Sequence, residues 1–175
     1  MAIWKLGPAL ATGNAVVLKP APNTPRSSLR LAELAIEAGL PPGLLNVVTG
    51  GNEVGEALVT DPNTAMISIT GSTRAGQAVM AAASPYVKRL HLELGGKAPA
   101  IVFPDADIDS MAHALTLGAT YNTGQDCTAA TRVYAQKDVY QDVVDSLAAT
   151  MTGVKVGDPW ATDTDIGPLI SADHL

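Results

Sequence analysis

MISITGSTRAGQAVMAAASPYVKRLHLEL, residues 66–94, decides the fold. Met66 to Thr70 is a short apolar run of strand composition, and Gly71 opens a turn after it. A helical stretch follows from about Thr73 to Ala83, and Arg89 to Leu94 reads as strand again. The same rhythm extends upstream. Ala15 to Lys19 (AVVLK) reads as a strand. Asn23-Thr24-Pro25 then predicts a helix start, with Thr24 as N-cap and Pro25 at the first helical position. Leu31, Leu34, Ala35 and Ala38 keep one apolar face. Gly39 and Pro41-Pro42 stop that helix. Leu45 to Val48 reads as strand, and Asn52 is placed to cap a short helix over Glu53 to Val59.

Downstream of the diglycine Gly95-Gly96 the alternation continues. Ala100 to Phe103 reads as strand, Ile108 to Tyr121 as helix and Val133 to Ala135 as strand. Tyr140, Val143, Val144, Leu147 and Met151 mark one face of a further helix. Gly157 to Leu175 reads as mostly loop. Strands alternating with helices indicate an α/β fold with a parallel sheet, helices on its faces and right-handed crossovers. No internal repeat is found, and a soft boundary falls at Gly95-Gly96.

The 175 residues suffice for one ordinary domain with a usable core. A net charge of -6 argues against a nucleic-acid footprint, which needs clustered Lys and Arg. One cysteine cannot form an intrachain disulfide and fits a reducing compartment or a catalytic thiol. The opening residues lack the apolar core of a signal peptide, and no run approaches the roughly 18 apolar residues of a membrane span. A soluble, cytoplasmic protein is therefore expected. Both ends look cut, so the chain is expected to be an internal piece of a longer one.

Three motifs could carry chemistry. In Thr70-Gly71-Ser72-Thr73-Arg74-Ala75-Gly76, Gly71 allows a tight turn. The helix N-terminus there offers free N–H groups to an anion, and Ser72 adds a hydroxyl. The plainer reading is an ordinary strand-to-helix turn, since the spacing matches neither G-x-G-x-x-G nor a phosphate loop ending in Lys-Ser/Thr. In Glu93-Leu94-Gly95-Gly96-Lys97, Glu93 closes an apolar strand, where partial desolvation would favour a general base. The plainer reading is a surface glutamate paired with Lys97. In Asn122-Thr123-Gly124-Gln125-Asp126-Cys127-Thr128, the lone cysteine lies in polar, glycine-containing surroundings that make poor core material. Asp126 opposes a thiolate there unless its side chain turns away. His91, His113 and His174 share no metal-ligand spacing, so no metal site is expected. His91 alternates with Glu93 and is read as structural.

Taken in order, WKLGPALATGN, VVLKP, GLPPGLLNVVTG, ITGST, ELGGK and GQDCTAA resemble the aldehyde dehydrogenase superfamily. They cover essentially the whole chain, with 34 residues from Glu93 to Cys127. The resemblance implies a parallel Rossmann-like sheet with helices on both faces, part of an NAD(P)-binding domain over 1–94. Part of a second α/β catalytic domain would follow over 95–175. It implies that Cys127 is the nucleophile and Glu93 the general base. Lys19 would contact the adenosine ribose and Ser72 the pyrophosphate, with Gly71 supporting that turn. Lys5 matches the lysine of the family's Trp-Lys pair. The implied reaction oxidises an aldehyde to a carboxylic acid with NAD or NADP through a thiohemiacetal and a thioester. Pro22 stands where many NAD-preferring members have glutamate, which leaves the cofactor choice open. The YNTGQDCTAA stretch with RVYAQ resembles the aminoaldehyde branch, which implies a substrate such as 4-aminobutanal.

The chain lacks the family's oxyanion-hole asparagine and the downstream glutamate that grips the nicotinamide ribose. The fragment alone is thus expected to be inactive, and its parent a homo-oligomer without membrane or nucleic-acid partners. The competing reading is a non-catalytic nucleotide-binding module derived from such an enzyme; keeping both Cys127 and Glu93 favours the enzyme. A related acyl-phosphate reductase is disfavoured, because a glutamate base serves deacylation by water.

Overall fold

The computed structural model describes residues 1–175. In chain order it forms α1 (Ala2–Ala11), β1 (Val16–Leu18), α2 (Arg26–Glu37), β2 (Leu45–Val47), α3 (Asn52–Thr60), β3 (Met66–Gly71), α4 (Thr73–Ala83) and β4 (Arg89–Leu94). β5 (Pro99–Val102), α5 (Ile108–Thr120), β6 (Arg132–Ala135) and α6 (Tyr140–Thr152) follow. The Cα trace divides into two units, Met1–Leu94 and Gly95–Leu175.

In the first unit β1 runs parallel to β2, and β3 parallel to β4 from Met66↔Arg89 to Gly71↔Leu94. In the second, β5 runs parallel to β6 from Pro99↔Arg132 to Val102↔Ala135. Every pair is bridged by at least one helix, as parallel pairing requires, so the class is α/β. The ladders stop at pairs. β1 and β2 are three residues each. Pro20 and Pro41-Pro42, which lack the N–H a ladder uses, lie close to their ends.

Some local expectations shift. Thr24 makes no cap bond; Pro25 is the N-cap of α2, and its carbonyl accepts from Leu29 N–H at 3.1 Å. Asn52 is the first residue of α3, not its cap. Gly51 precedes it, and its N–H donates to the Glu53 carboxylate at 2.9 Å, a side chain–backbone closure that replaces an asparagine cap. α1 is not among the elements read from the sequence. The helix tolerates Pro8, which costs it one intrahelical donor, while Leu6 is buried.

The first unit buries Leu6, Leu45, Val59 and Ala83, and the second Val102, Ala112, Ala129 and Val143. α4 packs closely on β4 at Gly76, where a Cβ would come within 2.8 Å of the Leu94 side chain. No helix is long and apolar enough to cross a membrane.

Candidate active site

Glu93 lies on β4 one residue before the strand's end, in register with Thr70 of β3. Side chains alternate along a strand, so His91 shares its face. The His91 Nε2 stands 3.2 Å from Glu93 Oε1, with side chains 52% and 43% exposed. His91 Nδ1 meets the Ser68 hydroxyl at 2.9 Å across the β3–β4 pair. Lys5 of α1 donates to the same hydroxyl at 2.8 Å. Burial lowers the Lys5 ammonium from its ordinary value, and the Glu93 charge pulls the other way. Four polar side chains from three elements thus form one continuous chain ending on Glu93. Lys5 is the lysine of the Trp-Lys pair that the resemblance singles out; Ser68 is not read as a site residue, and its faint signal is a lone hydroxyl within the apolar run of β3.

Cys127 is free and half-buried, in the loop after α5. The approach to it is strained. Asn122, Thr123 and Gly124 take φ of 51°, 59° and 71° in succession. That left-handed region suits glycine, is tolerated by asparagine, and disfavours a β-branched threonine. Hydrogen bonds hold the strain in place. Asn122 Nδ2 donates to the Gln125 carbonyl at 3.0 Å, and Gln125 Nε2 donates back to the Asn122 carbonyl at 3.1 Å. The tail secures the outside: Ile170 N–H donates to Gln125 Oε1 at 3.1 Å, and Thr123 Oγ1 to the Gly167 carbonyl at 3.3 Å.

The Asp126 carboxylate is engaged by Thr128, whose N–H and hydroxyl both donate to Oδ1 at 3.0 Å. Its pKa is lowered first by the Thr128 amide, then by the Thr128 hydroxyl, with a lesser contribution from the Cys127 thiol. The charge beside the thiol is therefore largely occupied by a neighbour's donors. Gly96 approaches from the unit's first residues; a Cβ there would stand 3.4 Å from the Cys127 carbonyl oxygen. An open cleft of about 790 Å³ adjoins the loop, lined by Thr116, Tyr121, Asn122 and Ile166 among others. The Thr116 hydroxyl is buried without a partner.

Lys19 follows β1, and its ammonium donates to the carbonyls of Pro20 and Gly50 at 3.1 and 3.2 Å. Its stem lies over Gly55 of α3, where a Cβ would come within 3.5 Å of it. Gly71 is the last residue of β3 and is not left-handed, so the turn asks no special conformation of it. Ser72 makes the turn and caps α4, its hydroxyl oxygen accepting from Ala75 N–H at 3.1 Å. Lys19, Gly71, Ser72 and Glu93 fall in the first unit and Cys127 in the second.

The chain is 49% identical over 175 residues to a betaine aldehyde dehydrogenase of Cereibacter sphaeroides, covering 100% of this chain and 36% of that protein. It superposes on a variant aldehyde dehydrogenase of Pseudomonas syringae in complex with NAD+ and octanal, with a TM-score of 0.91 and 43% identity. That match covers 96% of this chain and 35% of the other. An NADP-dependent enzyme of E. coli matches with a TM-score of 0.90 and 46% identity, over 95% of this chain and 35% of that one. The chain thus spans little more than a third of these proteins. The aldehyde dehydrogenase family model matches residues 1–175 without remainder, and with that match along its whole length this chain belongs to the aldehyde dehydrogenase family.

Proposed function

We propose that this chain works within a longer polypeptide that oxidises an aldehyde to a carboxylic acid with NAD(P)+. The observation that carries the reading is Cys127, a half-buried thiol presented at the end of a strained, hydrogen-bonded loop. Strain of this kind is held where a reactive group must be presented in one geometry. In the proposed reaction Cys127 Sγ attacks the aldehyde carbonyl carbon and forms a thiohemiacetal. The Cys127 N–H donates to no acceptor within the chain, which leaves it available to the developing oxyanion. Glu93 takes a proton from the water that hydrolyses the resulting thioester.

The residues fit a dinucleotide. Ser72 keeps its hydroxyl hydrogen while capping α4, and the first-turn amides of that helix favour an anion such as a pyrophosphate. Lys19 brings a cation beside the N-terminal turn of α3, suited to a ribose hydroxyl. NAD(P)+, when bound, supplies the hydride acceptor. One structural neighbour carries NAD+ and another is NADP-dependent, so both cofactors remain within the reading.

The substrate proposed is an aminoaldehyde such as 4-aminobutanal. The net charge of -6 and the betaine aldehyde dehydrogenase relative both support a cationic aldehyde. A homo-oligomer in the cytoplasm is the proposed setting. The test uses the full-length protein. Cys127→Ala should abolish aldehyde oxidation, by at least about 10⁴-fold as for loss of other nucleophiles, while NAD(P)+ binding stays intact. Unchanged turnover would sink the assignment and favour a non-catalytic nucleotide-binding module.

A further inference from the structure

We infer that His91 is a positioning residue for Glu93, held in one orientation by Ser68 and Lys5. The inference rests on the reading of Glu93 as the base in thioester hydrolysis and adds to it the device that aims the carboxylate.

The contacts link three elements. The Lys5 ammonium can only donate, so the Ser68 oxygen accepts at 2.8 Å. The Ser68 hydroxyl also meets His91 Nδ1 at 2.9 Å, so both of its neighbours hold it in place. The other ring nitrogen, Nε2, stands 3.2 Å from Glu93 Oε1. Lys5 and Ser68 thus hold the imidazole ring in one place, with Nε2 beside one oxygen of the Glu93 carboxylate. Register supports the arrangement: Ser68 is directly opposite His91 across a six-residue parallel ladder. The anchor at the far end comes from α1, 63 residues away in sequence. An isolated half-exposed His-Glu pair would be free to rotate, and the Ser68 and Lys5 contacts remove that freedom.

The test compares the pre-steady-state burst of reduced cofactor with the steady rate in the full-length protein. Glu93→Gln is the control for the underlying reading: it should keep the burst and lose the steady rate. His91→Leu should keep the burst and slow the steady rate about ten-fold, part of the roughly 10²–10⁴-fold a placed base contributes. His91→Gln, whose amide can keep a polar contact with both Ser68 and Glu93, should recover the steady rate to within about three-fold of the parent. Ser68→Ala frees the ring and should fall between the two. If Glu93→Gln behaves as stated but His91→Leu leaves the steady rate unchanged, or slows burst and steady phases equally, the positioning role is overturned. If His91→Leu does not fold, Ser68→Ala decides, and an unchanged steady rate there overturns the inference. If Glu93→Gln itself keeps its steady rate, it is the base assignment that fails.

Discussion

The β3–β4 pair and the loop at 121–128 hold their polar side chains by opposite means. Glu93 stands on an unbroken parallel ladder, with His91 two residues before it and Ser68 across from it. Every backbone there is extended, and the side chains meet because strand alternation puts them on one face. Cys127 instead follows three consecutive left-handed residues, and its loop is kept by side chain–backbone bonds and by two contacts from the tail. Regular structure aims the carboxylate at little conformational cost. The thiol's loop carries strain that its hydrogen bonds must offset. On the proposed reading, the Glu93 carboxylate needs only its direction set. Cys127 as the proposed nucleophile must also bring its own N–H into place, and a strand or helix would commit that N–H to a ladder or a turn.

The harshest test of the comparison asks whether these two regions and their scaffolds suffice without the longer polypeptide proposed above. Residues 1–175 expressed alone should show no measurable NAD(P)-linked oxidation of 4-aminobutanal or acetaldehyde, and should aggregate. Trp4, Phe103, Leu117 and Trp160 are among many large apolar side chains left exposed, Trp160 at 92%. Such surface needs covering. Soluble turnover comparable to the full-length protein would show that the two regions suffice by themselves.

The next test loosens the frame beneath the thiol without touching its loop. Val143 of α6 is among the most deeply buried side chains, and α6 packs on α5. Val143→Ala in the full-length protein should lower unfolding stability by about 2 kcal/mol. The rate of the burst should stay within about two-fold of the parent, because the loop keeps its own bonds. A parallel fall in burst rate would mean that loop geometry is set by the core, not by the bonds at 122–125.

These two regions were unequally legible. The ladder was open to reading because period-2 alternation and the flanking glycine fix β3, α4 and β4 together; α4 and β4 fall where the pattern places them. The face shared by His91 and Glu93 follows from the same alternation. What could not be read is the third dimension of that face, since nothing in MISIT says which helix will lower a lysine onto Ser68. The loop was legible only as polar and glycine-containing. Its left-handed run is hidden because Gly124 advertises such a conformation but Asn122 and Thr123 do not. The tail contacts from Gly167 and Ile170 join residues over 40 apart in a stretch with no periodicity to read. α1 has little to announce it: no side chain caps its start, and Pro8 lies inside it.

Matched threonines sharpen the contrast. Thr70 lies in β3 opposite Glu93 and Thr123 lies in the left-handed run. Thr70→Gly should cost about 1 kcal/mol or more, since a β-branched residue is replaced by the residue least suited to a strand. Thr123→Gly relieves strain of order 1–2 kcal/mol and gives back about 0.5–1 kcal/mol in chain entropy. It also gives up a long bond to Gly167. Its net change should lie within about 1 kcal/mol of zero. Chemical denaturation of both variants decides the matter. Equal losses at the two positions would remove the case for stored strain at Thr123.

The smallest effect expected is a pH dependence written into the loop by Asp126. Its carboxylate is held below the ordinary range, first by the Thr128 N–H and then by the Thr128 hydroxyl. A folded-state value below the unfolded one means that the stabilisation is fully present above the unfolded value. It is lost as pH falls through the folded one. At neutral pH Asp126 therefore favours the folded loop, and acid should remove that preference. Asn at this position can still accept from the Thr128 N–H but carries no charge and does not titrate. The difference in thermal midpoint between the parent and Asp126→Asn should thus be small and steady near neutrality, then shrink in acid below the ordinary carboxylate range. Asp126 is only half-buried, so added salt should reduce the difference at neutral pH as well. The same experiment on Glu53 of α3 gives a reference from the regular half. That carboxylate is also lowered, by backbone hydrogen bonds at its own residue and Gly51, and it lies far in sequence from the strained loop. A midpoint difference for Asp126→Asn that stays constant from neutral to acid pH would mean that Thr128 stabilises the loop through shape alone, with the charge contributing nothing.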